Sequence, residues 1–157
     1  MASLFVWKVV ACRIPTADAL EARGIQVQNN TCVLCEQDVE SADHILLNCR
    51  VAEEVWHRLS LWMNIPPGLN QSTVDEMLQS VNGLNVSKNR KRIIHAIYII
   101  TMWSIWKARN RKIFEGIIVN RYKLVEDIKE MTFDCVVNRS KFKDISWGNW
   151  CNFNLQL

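Results

Sequence analysis

Nowhere does this chain carry an apolar run long enough to cross a bilayer. The longest, Ile93 to Trp106, is interrupted by His95, Thr101 and Ser104. At about 14 residues it falls short of the roughly 20 that a spanning helix needs, and it reads as a buried helix. The start does not read as a secretory leader: no positive charge precedes the apolar stretch, Lys8 interrupts it, and an amphipathic pattern continues past Val9-Val10-Ala11-Cys12, so it is expected to be part of the fold. The chain is therefore expected in the nucleus or cytoplasm, away from membranes, where thiols stay reduced and cysteine clusters favour metal over disulfides. No paired carboxylates, Ser/His/Asp set, phosphate loop or His-Glu-x-x-His arrangement can be assembled. Neither a reaction of its own nor a small-molecule substrate is expected. Internal repeats and low-complexity tracts are absent as well. What remains is a chain of 157 residues, 49% apolar and 22% charged, near the globular average, so a fold with a real core is expected.

The fold class expected from periodicity is mainly α: a small cysteine- and histidine-bearing module with a short hairpin or loop, then a helical region with one long central helix. Residues 4–65 form the module, 66–87 a linker with a short helix, and 88–157 the helical region. Leu4 to Gly24 has near-helical apolar spacing, with Thr16 as a cap and Gly24 as a stop. Ile25 to Glu40 reads as a hairpin or loop. Further helices are predicted over Thr73 to Val81, Lys88 to Phe114 and Leu124 to Asn138, and Pro66-Pro67-Gly68 closes the helix before them. Trp147, Trp150 and Phe153 make the end apolar enough to dock. Cys12, Cys135 and Cys151, each isolated, are read as small buried apolar residues. His57 is read as a surface residue, and His95 as a hydrogen-bonded residue near a helix start.

Chemistry concentrates in one short stretch. Cys32-x2-Cys35-x8-His44-x4-Cys49 supplies three thiols and an imidazole, the donor set of a structural zinc site, with Cys-x-x-Cys giving two ligands from one tight turn. Four protein ligands leave no open position for a reacting water. Residues five apart on an α-helix point about 140° away from each other. His44 and Cys49 therefore cannot both lie mid-helix. The expectation is a helical turn from Ser41 to about Leu47, a break at Asn48-Cys49, and a new helix from Arg50, with Cys49 at its N-terminus, where the dipole favours thiolate.

These residues resemble the zinc-binding domain at the C-terminal end of reverse transcriptases of plant non-LTR (LINE-type) retrotransposons. The resemblance runs through Phe5-Val6-Trp7-Lys8, the segment Arg13-Ile14-Pro15-Thr16 to Arg23-Gly24-Ile25, Cys32-x-Leu34-Cys35, Glu40-Ser41-x-Asp43-His44 and Cys49, then Val55-Trp56. The later Trp103-x-Ile105-Trp106-Lys107-x-Arg109-Asn110 segment is similar to the stretch downstream of that domain in such polyproteins. The resemblance implies a Zn²⁺ cofactor, an upstream tryptophan-containing segment against the first helix, and other reverse transcriptase domains as partners. The Tyr-x-Asp-Asp motif of the polymerase is not in this chain.

Charge divides the chain. Residues 1–76 hold 5 Lys/Arg against 10 Asp/Glu, a net of −5, and residues 77–157 hold 14 against 6, a net of +8. Phosphate is repelled by the first half, where thiolates add more negative charge. Between Glu76 and Glu115 there is no acidic residue, only Lys88, Arg90, Lys91, Arg92, Lys107, Arg109, Arg111 and Lys112. Those eight are the expected contacts for RNA or DNA, against the plainer alternative of a solvated basic flank. Trp103 and Trp106 read as core more readily than as base-stacking platforms. Two other readings stay open: a zinc-stabilised scaffold for protein interaction, and a non-functional retroelement fragment.

Overall fold

The computed structural model describes residues 2–65, 72–139 and 145–155. Seven α-helices are found among them: α1 (Ala2–Val10), α2 (Ala17–Glu21), α3 (Arg50–Met63), α4 (Val74–Gly83), α5 (Lys88–Glu115), α6 (Arg121–Arg139) and α7 (Trp147–Cys151). A π-helical turn, His44–Asn48, precedes α3. The described residues contain no strand, only one antiparallel bridge between Thr31 and Val39, so the predicted mainly helical class with a short hairpin-like loop holds.

The long apolar run becomes the middle of α5, buried on nearly all sides from Ile93 to Trp106, as expected of a helix without a polar face. Around it pack α1, α4, α6 and the π-turn. Ser87 caps its start, its hydroxyl accepting from the Arg90 N–H at 3.2 Å. Gly116 ends it at φ +68°, a left-handed position that costs glycine nothing. α6 folds back along α5 and buries Val125, Ile128, Thr132 and Val136 at helical spacing. α3 buries Ala52, Val55, Leu59 and Met63 in the same way. α4 begins with a capping box between Thr73 and Glu76. No helix of the described residues is long and apolar enough to cross a membrane.

The chain end docks through an aromatic cluster. The Trp62 indole N–H donates to the Trp150 carbonyl at 3.0 Å, and Trp150 donates to Lys129 at 2.9 Å. Phe153 meets Trp62 edge-on at 4.9 Å. Buried side chains from Phe5 to Phe153 form one continuous cluster.

Several expectations need correction or limits. Leu4 to Gly24 breaks at Cys12, with φ 53°, and at Pro15, and the helix expected to open at Thr16 is α2, which ends at Glu21, before Gly24. Thr16 occupies the start of α2, but its hydroxyl donates to Asp18 at 2.5 Å and caps no backbone N–H. Cys12 and Cys151 are exposed and Cys135 half-buried, because the first two lie in the turns that end α1 and α7 and neither faces the core. His95 is exposed as well. The predicted stop at Pro66-Pro67-Gly68 lies outside the described residues.

Candidate metal centre

The Thr31–Val39 bridge closes a loop in which the Cys32 N–H donates to Asp38 at 2.7 Å and the Glu40 N–H to Asn30 at 2.7 Å. Inside it the chain turns back sharply. The Glu36 N–H reaches the Cys32 carbonyl at 2.8 Å, with Glu36 at φ 60°, so Cys32 and Cys35 face the same point. The other two ligands come from the π-turn. Its i→i+5 hydrogen bond, Cys49 N–H to His44 carbonyl at 2.6 Å, brings residue 49 over residue 44, which an α-helix cannot do. The geometric conflict between those two positions is solved by widening one turn. Cys49 then leaves helical geometry (φ −69°, ψ 133°) and stands at the N-terminus of α3, as predicted.

The four donor atoms all lie within 4.8 Å of one another. Cys32 Sγ and Cys49 Sγ are 3.9 Å apart, and Cys35 Sγ and His44 Nε2 are 3.3 Å apart. Tetrahedral Zn²⁺ with bonds near 2.3 Å to sulfur and 2.0 Å to nitrogen demands edges of about 3.8 Å (S···S) and about 3.5 Å (S···N). The donor set and its spacing therefore fit Zn²⁺. Cys32 and Cys49 are fully buried, whereas Cys35 and His44 are partly exposed.

The surrounding backbone is arranged for anionic sulfur. Cys49 is held below the ordinary thiol value, first by the hydrogen bond from Cys32 and further by the N–H groups of Val51 and Ala52 in the first turn of α3. Cys32 is pushed up by its bond to Cys49 and by burial, although the amides of Cys35 and Leu34 oppose this.

Side chains with no ligand role anchor the loop. Glu40 is buried and pairs with Arg109 of α5, the Arg109 Nε lying 3.3 Å from Oε2 and Nη2 bonding Oε1. Its Oε1 also accepts the Ala17 N–H at 3.2 Å, at the start of α2. Glu36 pairs with Lys112, one turn further along α5, at 2.7 Å. Asp43 accepts the Val74 N–H at 2.9 Å, tying the π-turn to α4, and Trp56 donates to the Leu46 carbonyl at 2.7 Å. None of these roles is legible in the sequence. Glu36 and Glu40 meet cations 76 and 69 residues away, and no local pattern signals such a pairing.

The eight basic residues separate into two groups. Arg109 is buried against Glu40 and stacks over Trp106 at 4.8 Å, and Lys112 faces Glu36. Arg90 donates to the Met63 carbonyl at 3.1 Å and lies over Phe153, while Lys91 donates to the Asn82 carbonyl at 2.5 Å. Lys88 and Arg92 are exposed, with no ion-pair partner among the described residues. Lys107 lies 5.9 Å from the Trp103 ring centroid, and Arg111 pairs only with exposed Glu115. Trp106 is core, and Trp103 packs on Phe5 at 5.2 Å.

Residues 1–56 match the family model described as zinc-binding in reverse transcriptase, a span that contains Cys32, Cys35, His44 and Cys49. No curated protein and no solved structure matches the chain.

Proposed function

We propose that this chain is an accessory domain of the non-LTR retrotransposon reverse transcriptase type, in which Cys32, Cys35, His44 and Cys49 hold one Zn²⁺ whose work is structural. The observation that carries the reading is the convergence of four donors from a loop, a π-turn and a helix N-terminus within 4.8 Å. With every position of the tetrahedron filled by protein, the ion orders chain and activates no water. The domain catalyses no step and works by binding, in the nucleus or cytoplasm, where its thiols stay reduced.

Its contact with RNA or DNA runs through the basic start of α5, where the fold leaves Lys88 and Arg92 exposed; Lys107 and Arg111 share a depression with the α6 carboxylates and contribute less. Support comes from the net charge of +8 over residues 77–157 and from the absence of internal carboxylate partners for Lys88 and Arg92 among the described residues. Arg90, Lys91, Arg109 and Lys112 contribute shape more than free charge, since each has an internal partner. The test is metal analysis of the reduced protein, with binding to single-stranded RNA and DNA across a salt series. One equivalent of zinc is expected, with affinity falling at a log–log slope of about −0.7 per phosphate neutralised and a shallower slope for Arg92→Ala. A salt-independent or absent affinity contradicts it.

A second reading, a scaffold for other polypeptides such as further reverse transcriptase domains, is favoured by one observation. Asp127, Glu130 and Asp134 of α6 line the same depression as Lys107 and Arg111, and carboxylates there repel phosphate.

A further inference from the structure

Along one side of the α5–α6 pair three depressions join end to end. The first contains Arg92, His95 and Trp103 and shares Met131 and Asp134 with the second. The second, about 430 Å³, shares Ala108, Arg111, Leu124 and Asp127 with the third, which ends on Ile117 and Ile118. Together they make one groove between α5 and α6, bounded at its first end by Ala2 and Ser3 of α1, the kind of place where a further helix packs in a bundle.

The walls differ in charge. In the central depression Lys107 and Arg111 stand on the α5 side and Asp127, Glu130 and Asp134 on the α6 side; Arg92 of α5 lines the first depression and Lys123 of α6 the third. Among the described residues no ion pair crosses between them: the pairs that form nearby are Arg111 with Glu115 and Lys129 with Glu126, each within its own helix. Both ridges also place like charges one turn apart, Lys107 with Arg111 and Glu130 with Asp134, spacing that weakens an isolated helix by a few tenths of a kcal/mol per pair. Opposite charges laid beside each ridge reverse that effect. Between the ridges the floor is apolar, with Ala108, Leu124 and Met131, and it runs out to Ile118, which is 85% exposed. Exposed apolar surface rimmed by polar groups marks a contact site.

We infer that the α5–α6 groove is the docking site for an amphipathic helix of a partner polypeptide, apolar on its inner face, acidic along the edge over Lys107 and Arg111, and basic along the edge over Asp127, Glu130 and Asp134. Nucleic acid fits this groove poorly. A phosphate backbone answers one ridge and is repelled by the other. The distance from Ile99 to Arg111 on α5, about 18 Å at 1.5 Å per residue, accommodates a helix of about three turns.

Three synthetic helical peptides with one common apolar face test it on the full reduced chain by fluorescence anisotropy: one with an acidic and a basic edge, one with two acidic edges, one with two basic edges. The two-signed peptide is expected to bind at least about tenfold tighter than either single-signed one, since facing like charges is costly. Asp127→Lys and Ile118→Asp, both at exposed positions, should each weaken it by about tenfold, with zinc content and thermal unfolding unchanged. Equal or absent binding of all three peptides overturns the inference. So does tightest binding of the acidic peptide, or displacement of the two-signed peptide by single-stranded DNA, either of which gives the groove to an anionic partner. Zinc stoichiometry, read in the same samples, reports separately on the metal-stabilised domain.

Discussion

Residues 25–49 and residues 88–139 are held in shape by different physics. The first stretch has one bridge and one π-turn for regular structure, and its sharp turns converge on four donor atoms. The second is a helical hairpin whose α5 buries side chains nearly all round, the product of apolar periodicity over many turns. Where side chains are short and turns dense, a cation supplies the cohesion; where aliphatic residues recur at helical spacing, burial at about 25 cal/mol per Å² supplies it. The two are joined by a shared apolar core, to which the π-turn contributes Ile45, Leu46 and Leu47, and by the ion pairs Glu40–Arg109 and Glu36–Lys112.

The largest effect separates the two regions. Chelation of the metal, or Cys35→Ser, removes a binding free energy on the order of 10 kcal/mol, as in zinc-finger peptides. Amide protection is then expected to vanish over residues 25–49 and to persist in α5 and α6, read by hydrogen exchange. Simultaneous loss in α5 and α6 breaks the comparison and makes the chain a single cooperative unit.

Next comes the joint between them. Arg109→Met strands the buried Glu40 carboxylate and should cost about 3–5 kcal/mol in denaturant unfolding, with Glu40→Leu added to it recovering part of that loss. Recovery stays incomplete because Glu40 also accepts the Ala17 N–H. A loss below about 1 kcal/mol for Arg109→Met shows that the joint carries little.

Within the helical region, Ile97→Ala empties a fully buried site and should cost about 2–5 kcal/mol while zinc stoichiometry stays at one. Zinc loss in that variant contradicts the division of labour.

The smallest effect is electrostatic and lies on the surface. Lys112 holds the Glu36 carboxyl below its ordinary value of 4.5. A lowered native value means that the pair stabilises the fold above pH 4.5 and that this contribution fades as pH falls through the native value. Glu36→Gln should therefore lower stability slightly at neutral pH and not at all well below the native value, flattening the acid limb, measured by thermal unfolding across pH. An equal loss at every pH points to packing instead.

Much of this division was legible in the residues. Cys-x2-Cys-x8-His-x4-Cys is local, so its chemistry can be read directly, and the apolar run from Ile93 to Trp106 announces a buried helix. The expected break at Asn48-Cys49 and the helix from Arg50 were also visible, because residues five apart cannot share an α-helical face. The π-turn that reconciles His44 with Cys49 was not, since a widened turn has no signature beyond the conflict it removes. The fate of the basic residues was hidden for another reason. Whether Arg109 meets solvent or Glu40 depends on a contact spanning 69 residues, and charge counts treat both cases alike. The positions of Cys12 and Cys151 escaped for the same reason: single cysteines carry no periodicity, and helix ends place them outward.

The most direct test is metal content measured together with order on one sample of purified, reduced protein. One zinc per chain, with exchange protection across residues 25–49 that disappears on chelation, is the predicted result. A chain that contains no metal yet protects those amides fully contradicts the account.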